Sequence, residues 1–343
     1  MTFNRDILLF VALALVWGSS FAAIEVGLES VPPILFAALR FDVAAALFAV
    51  AVVALGYRWR PRTRTDWTLI AVGGGLLIGA HFAFLFVGQS YVSSAVAAIV
   101  LSLLPIVTPP LALVLLPRQR IRLSAVLGLL LGLAGVVVIA LDGGSIDGQA
   151  IGVGLLVLAA ITFAIGSVLT ERLRGTLPIV SLQAWSMALG ALVLHALSVL
   201  HPAESLGSLE LTLAFVGALT YLSVVATAGG FLAYFVLLER IGATELSLVN
   251  YAVPIVAALV GWGLLGEALT LTTVAGFALI LFGFTLCKLE ALWTTLRPIV
   301  RRVRHGRRSS GAGVSTADAR ISADGGPRHS PSDGDRAYPP CDD

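Results

Sequence analysis

Glu25, Arg40, Asp42 and His81 lie inside long apolar stretches of this 343-residue chain. A charge near the centre of a helix in hydrocarbon costs ~2.5–3.5 kcal/mol on insertion scales, so a chain keeps such groups for a purpose. Arg40 is the lone Lys or Arg well inside one of these stretches. A guanidinium there can hold a carboxylate through two parallel hydrogen bonds. Two readings of Arg40 stand side by side. Either it contacts an anionic or zwitterionic solute, or it pairs with Glu25 and fixes two neighbouring helices. Asp42 is two residues further on and falls on nearly the opposite helix face, so the two cannot pair well with each other. It reads as a helix-interface or proton-coupling carboxylate. His81 carries a ring that titrates near neutral pH, and it either relays a coupling proton or packs.

A second set is polar or aromatic and uncharged: Trp17, Ser19, Ser20, Gln183, Trp185, Tyr221, Asn250 and Tyr251, all placed towards the middle of apolar stretches. A cavity for a small organic solute is mostly apolar with a few placed polar groups, which suits Trp17, Ser20, Tyr221, Asn250 and Tyr251. Trp17 and Tyr251 could also meet an amine through the ring face. Taken singly, each could equally be packing. Pro105 and Pro254 sit inside two of the stretches and read as hinges or as static kinks, because the backbone groups they free need partners. No HExxH, GxSxG or GxxxxGK[ST] segment is present, so no catalytic residues, cofactor or metal ligands are expected.

The elements that carry these residues follow from composition. Charged residues make up 12% of the chain and hydrophobic ones 58%. A soluble domain carries about 25% charged residues, so this chain cannot cover a water-facing surface. Ten apolar segments approach or exceed the ~20 residues that span a bilayer core: 7–28, 33–56, 67–88, 92–116, 122–141, 149–170, 180–200, 211–238, 244–265 and 270–289. The runs are too long and unbroken for the alternating strands of a membrane barrel. The first segment, behind a short polar start, reads as a retained helix rather than a cleaved signal. The fold class is therefore an all-α membrane protein of ten transmembrane helices.

Arginines mark one side of it. Segments 57–66, 117–121 with its flank, 171–179 and 239–243 carry Arg, whereas 29–32, 89–91, 142–148, 201–210 and 266–269 carry no Lys or Arg. The positive-inside rule then puts both termini in the cytoplasm of a multi-pass cell-membrane protein. Residues 290–343 form a separate tail whose basic stretch, Arg297–Arg308, suits anionic headgroups and whose remainder has a disordered composition. Cys287 and Cys341 are too few for a disulfide framework, and a net charge of +2 makes no case for nucleic acid. The expected partners are a small-molecule solute, the lipid bilayer and a coupling proton.

The chain also repeats itself. Pro105 aligns with Pro254, Phe82 with Phe231, Phe86 with Phe235, Gly128 with Gly276, Gly135 with Gly283 and Glu25 with Glu171, at offsets between 146 and 149 residues. Five segments per half make the second half enter the membrane upside down. Residues 1–141 and 149–289 then form two inverted five-helix repeats, an architecture of many secondary transporters. Gly128, Gly132 and Gly135, like Gly75 and Gly79, have the spacing of close helix contacts. Gly266-Glu267 reads as a topology mark on the outer side. A channel is the alternative, though no ring of charges or filter-like segment supports it; an intramembrane enzyme is the more remote one.

Trp17-Gly18-Ser19-Ser20-Phe21, Leu39-Arg40-Phe41, the two span-centre prolines and Leu265-Gly266-Glu267, in that order, resemble the EamA branch of the drug/metabolite transporter superfamily. The resemblance covers residues ~6–289. It implies a ten-helix secondary transporter that exports or exchanges small metabolites by alternating access, and it names no substrate. The first half departs from the pattern by having no Gly-Glu after its fourth span, which argues against a symmetric role for Glu267.

Overall fold

The computed structural model describes residues 2–115, 123–140, 148–173, 175–200 and 211–287, and every element among them is helical. They are α1 (Thr2–Leu28), α2 (Pro33–Ala54), α3 (Arg64–Gln89), α4 (Ser94–Leu115), α5 (Leu123–Ala140), α6 (Gly148–Arg172), α7 (Ile179–Leu200), α8 (Leu213–Leu246), α9 (Val249–Leu265) and α10 (Leu271–Cys287). Seven of these are long and apolar enough to cross a membrane, while the apolar runs Leu130–Ile139, Val249–Leu265 and Leu271–Gly283 are shorter. The tail 290–343 with Arg297–Arg308, the segments 117–121 and 201–210, and all of 142–148 but its last residue lie outside the described residues.

Local chemistry sets the helix ends. Pro33 opens α2 at the position where a missing N–H costs nothing. Thr63 and Asp66 form a capping box at the start of α3. Thr212 accepts the Phe215 N–H at the start of α8. Gly266, at φ +69°, ends α9 in the left-handed conformation that only glycine adopts without cost. Gly242, at φ +80°, breaks the helical path inside α8. That break falls in the Arg-bearing segment expected between the eighth and ninth spans.

Two features depart from a simple helix count. The third and eighth helices each contain a π-helical segment, Gly73–Ala80 and Tyr221–Gly229, at matching places. The fourth is in two pieces, Ser94–Leu101 and Leu104–Leu115. The interruption expected at Pro105 therefore lies before it, at Ser102–Leu103. Pro105 instead sits near the start of a new helix, where its lost N–H is tolerated, and Pro109 and Pro110 lie within that piece. Pro254 likewise lies inside a helical run, Val249–Val260, rather than ending it.

The packing has an exchange rule. α1 packs on α9, and α6 packs on α4. α2 packs on α8, and α7 on α3. α2 and α7 pack on each other, as do α5 and α10. In the α5/α10 pair a Cβ on Gly135 would stand 2.5 Å from the Gly276 carbonyl, and one on Gly283 would stand 2.6 Å from the Gly128 carbonyl. These crossed contacts make the two helices antiparallel, with small residues letting the backbones touch. Gly75, by contrast, faces open space, contrary to the close contact its spacing suggests, while Gly79 does meet Val193. α3 lies tightly on α7 through Gly73 and Gly74, which face Ser186 and Leu189.

Candidate functional site

Arg40 heads the largest fully buried side chains of the described residues, at 2% exposure. It lines an interior cavity with Trp17, Ser20 and Ile24 of α1, His81 and Phe82 of α3, Leu101 of α4, Phe163 of α6, Phe231 of α8 and Asn250 of α9. The cavity therefore draws on helices from both ends of the chain. Its volume, about 40 Å³, holds a few waters at the ~10–15 Å³ that each requires. It is too small for a metabolite as it stands.

Arg40 Nε donates to Thr227 Oγ1 at 2.5 Å. Its guanidinium carbon lies 4.8 Å from the centre of the Phe82 ring, with Phe41 and Phe86 at 5.5 and 5.9 Å. Nη1 is buried without a hydrogen-bond partner. Ring faces attract a cation, but they satisfy no N–H. A buried donor left open costs about 1–3 kcal/mol, a demand that an entering acceptor would meet.

The expected Glu25–Arg40 ion pair does not form. Among the described residues no carboxylate stands within salt-bridge distance of Arg40. Glu25 instead accepts from Gln89 Nε2 at 3.4 Å, and the same amide donates to the Phe21 carbonyl at 2.7 Å. Glu25 lines a second, polar cavity of about 350 Å³ with Ser90, Ser93, Gln149, Thr270 and Thr273. The physical reason is helix rotation. Arg40 faces inward towards α8, while Glu25 sits at the end of α1 beside the α3–α4 connection.

The other candidates divide. His81 lines the cavity, and its Nδ1 lies 2.8 Å from the Ala159 carbonyl. That carbonyl makes Nδ1 the donor in a neutral ring and leaves Nε2 as the acceptor. Its ring packs on Phe82 and Phe163 at 4.7 and 4.8 Å. Trp17 donates to the Ala226 carbonyl at 3.2 Å and stacks on Tyr234 at 5.4 Å. Ser20 lines the cavity, although its hydroxyl donates to the Trp17 carbonyl. Asn250 also lines the cavity and donates to the Ser247 carbonyl.

Tyr221 and Tyr251 do not line the cavity. Tyr221 shares a 2.6 Å hydrogen bond with Ser19 instead. Trp185 belongs to an aromatic cluster with Trp59 and Trp67 at the helix ends, and donates to the Trp59 carbonyl. Asp42 pairs with His195 of α7 at 2.7 Å and is turned away from the site. Pro105 and Pro254 stand four residues after Leu101 and Asn250, two cavity-lining residues. Proline has no N–H, so each of those carbonyls loses its usual helical donor at the cavity wall.

Sequence reasoning missed Thr227, Phe163, His195 and Gln89. Phe82 and Phe231 carried a signal, their shared offset, and their rings meet at 6.1 Å beside the cavity. Glu267 does more than mark topology. It accepts from the Ser94 N–H and hydroxyl at 3.0 and 2.7 Å and so caps α4. Glu171, the repeat counterpart of Glu25, accepts from the Ala243 N–H at 2.8 Å after the Gly242 break.

A bundle of apolar helices around one buried guanidinium defines a multi-pass membrane protein. The family model for the EamA-like transporter family matches residues 4–141 and 150–288. An Archaeoglobus fulgidus protein named as an uncharacterized transporter is 33% identical over 78% of this chain and 92% of its own length. A Salmonella typhimurium protein named as a probable amino-acid metabolite efflux pump is 31% identical over 82% of this chain and 93% of its own. The inner membrane transporter YedA of Escherichia coli K12, also named as uncharacterized, is 28% identical over 85% and 93%. One solved crystal structure shares the fold, with a TM-score of 0.60 at 23% identity over 84% of this chain and 98% of that one. This chain belongs to the EamA-like transporter family, as its WGSSF, LRF and paired-proline segments implied.

Proposed function

We propose that this protein is a secondary transporter that moves a small, carboxylate-bearing organic metabolite across the cell membrane by alternating access. The observation that carries the reading is Arg40, a buried guanidinium that lines the aromatic cavity and whose Nη1 has no hydrogen-bond partner. A carboxylate would supply the missing acceptor, and His81 and Asn250 supply further polar contacts around it. The Salmonella relative's name, an amino-acid metabolite efflux pump, agrees with an amino-acid-like solute.

The exchange rule of helix contacts, the crossed glycines of α5 and α10 and the matched π segments support two inverted five-helix repeats, 1–141 and 149–289. A pseudo-two-fold axis in the membrane plane would bring the site to the interface between the repeats. The small cavity volume supports an observed state closed on the solute site. Access would then run from the larger cavity beside Glu25, past the Gln89–Phe21 contact. His81 and Glu25 are the groups best placed to carry a coupling proton, and Pro105 and Pro254 the places for bending.

The test is flux of labelled amino acids into liposomes holding the purified chain. Saturating uptake with counterflow is expected, and Arg40→Lys should lower it. Flux that never saturates and shows no counterflow would overturn the carrier reading in favour of a channel. Reporter fusions after Arg62 should read cytoplasmic and fusions at Gly144 and Ser205 external; the reverse pattern sinks the proposed orientation with both termini inside.

A further inference from the structure

Asp42 and His195 are hydrogen-bonded on the outer surface of the α2/α7 pair, an ion pair when the imidazole is protonated, with Nε2 and Oδ2 at 2.7 Å and side chains 45% and 38% exposed. Asp42 stands nine residues into α2 from Pro33, or about 13 Å down the helix at 1.5 Å per residue. That depth is near the middle of a hydrocarbon core of about 30 Å. A short Asp side chain cannot reach the headgroups from there, and hydrocarbon cannot solvate it. Polar groups in spans face a bundle interior or a wet cavity, and this pair does neither within one protomer.

The surroundings suit a protein neighbour. Ala46 and Ala49 on α2, and Ala188 and Ala196 on α7, are exposed around the pair. Small residues on a lipid-facing surface permit close backbone approach. Val43, Leu47 and Val50 of α2, with Leu192 and Val199 of α7, complete an apolar rim. The pair uses only Asp42 Oδ2 and His195 Nε2. Among the described residues, the second carboxylate oxygen and the second ring nitrogen have no partner.

We propose that this face binds a second copy of the same chain, about a two-fold axis along the membrane normal. When His195 is protonated both ring nitrogens donate, so the face then offers one open acceptor, the second carboxylate oxygen, beside one open donor, Nδ1–H, and is complementary to itself. Rotation brings Asp42 of each copy to His195 of the other and closes a four-membered polar ring inside the bilayer. A different protein would need to bring the same pattern, whereas a second copy carries it by construction. The contact is independent of what the cavity transports.

The experiment uses the full chain with Cys287 and Cys341 changed to Ser, in native membranes. Ala46→Cys and Ala196→Cys should each oxidise to a disulfide dimer several-fold more than Leu130→Cys, which places a thiol on an exposed position of α5. Equal or lesser cross-linking than the Leu130 variant overturns the proposal. The second arm counts photobleaching steps of single labelled molecules in dilute liposomes. Two steps are expected from the unaltered chain and one from Ala46→Trp, which adds bulk only to the outer face and leaves the protomer's own packing alone. A chain that bleaches in one step, or an Ala46→Trp variant that keeps two, also overturns it.

Discussion

Arg40 Nε and Thr227 Oγ1 join α2 to the π-helical segment of α8 through a 2.5 Å hydrogen bond. The contact engages Nε, while Nη1 stays buried without a hydrogen-bond partner. A π segment widens the helical turn and recurs at functional sites; here it presents Thr227 to an arginine that no carboxylate among the described residues neutralises.

Replacing Arg40 by Lys keeps a charge but removes the planar fork, and transport is expected to fall by at least about tenfold, or ~1.4 kcal/mol of lost contact. Thr227→Val keeps the shape and removes the acceptor. It should cost about 1–3 kcal/mol of stability by orphaning Nε. Initial-rate flux and thermal unfolding in detergent measure the two effects separately. Normal flux with Arg40→Lys would remove Arg40 from the site.

Gly230 holds a place for Trp17: a Cβ there would lie 2.7 Å from the indole Nε1. Gly230→Ala should displace the indole, break its bond to the Ala226 carbonyl and lower flux at unchanged abundance. Gly217→Ala, in the same helix with nothing within 4 Å, is the matched control and should transport normally.

The α5/α10 contact is backbone on backbone. A Cβ on Gly276 would meet Ile139 at 2.4 Å and the Gly135 carbonyl at 2.7 Å. A carbonyl cannot swing aside, so Gly276→Ala should destabilise the protein by about 1–3 kcal/mol of overpacking. Gly75→Ala, which meets nothing within 4 Å, should be neutral or stabilising, since Ala favours a helix over Gly by ~1 kcal/mol. Unfolding temperatures of the two variants decide it; the same change in both would mean the crossed contact is absent.

Asp66 ties two connections together. It accepts from the Arg62 and Thr63 N–H groups next to it, and from the Thr176 N–H, the Thr176 hydroxyl and the Leu177 N–H between α6 and α7. Asn has one acceptor oxygen and an NH₂ that would face donors. Asp66→Asn should therefore lower the unfolding temperature by several degrees and increase proteolysis near Thr176, read by mapping the cut sites. A variant as stable as the parent would show that the two connections hold together by other means.

The helices were largely legible. A bilayer demands long apolar runs, and runs such as 33–56 and 180–200 correspond to α2 and α7 almost residue for residue. The caps at Pro33 and Gly266 went unread although their residue types carry the signal, and only the apolar runs were legible. The π segments were not, because residues such as Gly73–Ala80 satisfy an α pattern equally well until α7 presses on them. Nor was the break at Ser102–Leu103, which the prolines following it concealed.

At the candidate site the residue types were readable and their partners were not. That Arg40 is buried follows from its residue type and place alone, since no chain can leave a guanidinium in hydrocarbon on an otherwise apolar helix without cover. What it meets, Thr227 and the Phe82 ring rather than Glu25, is set by how the helices pack. Periodicity states which face of a helix a side chain occupies. The rotation and pairing of helices far apart in the chain state what that face sees, and these depend on the packing of all neighbours at once.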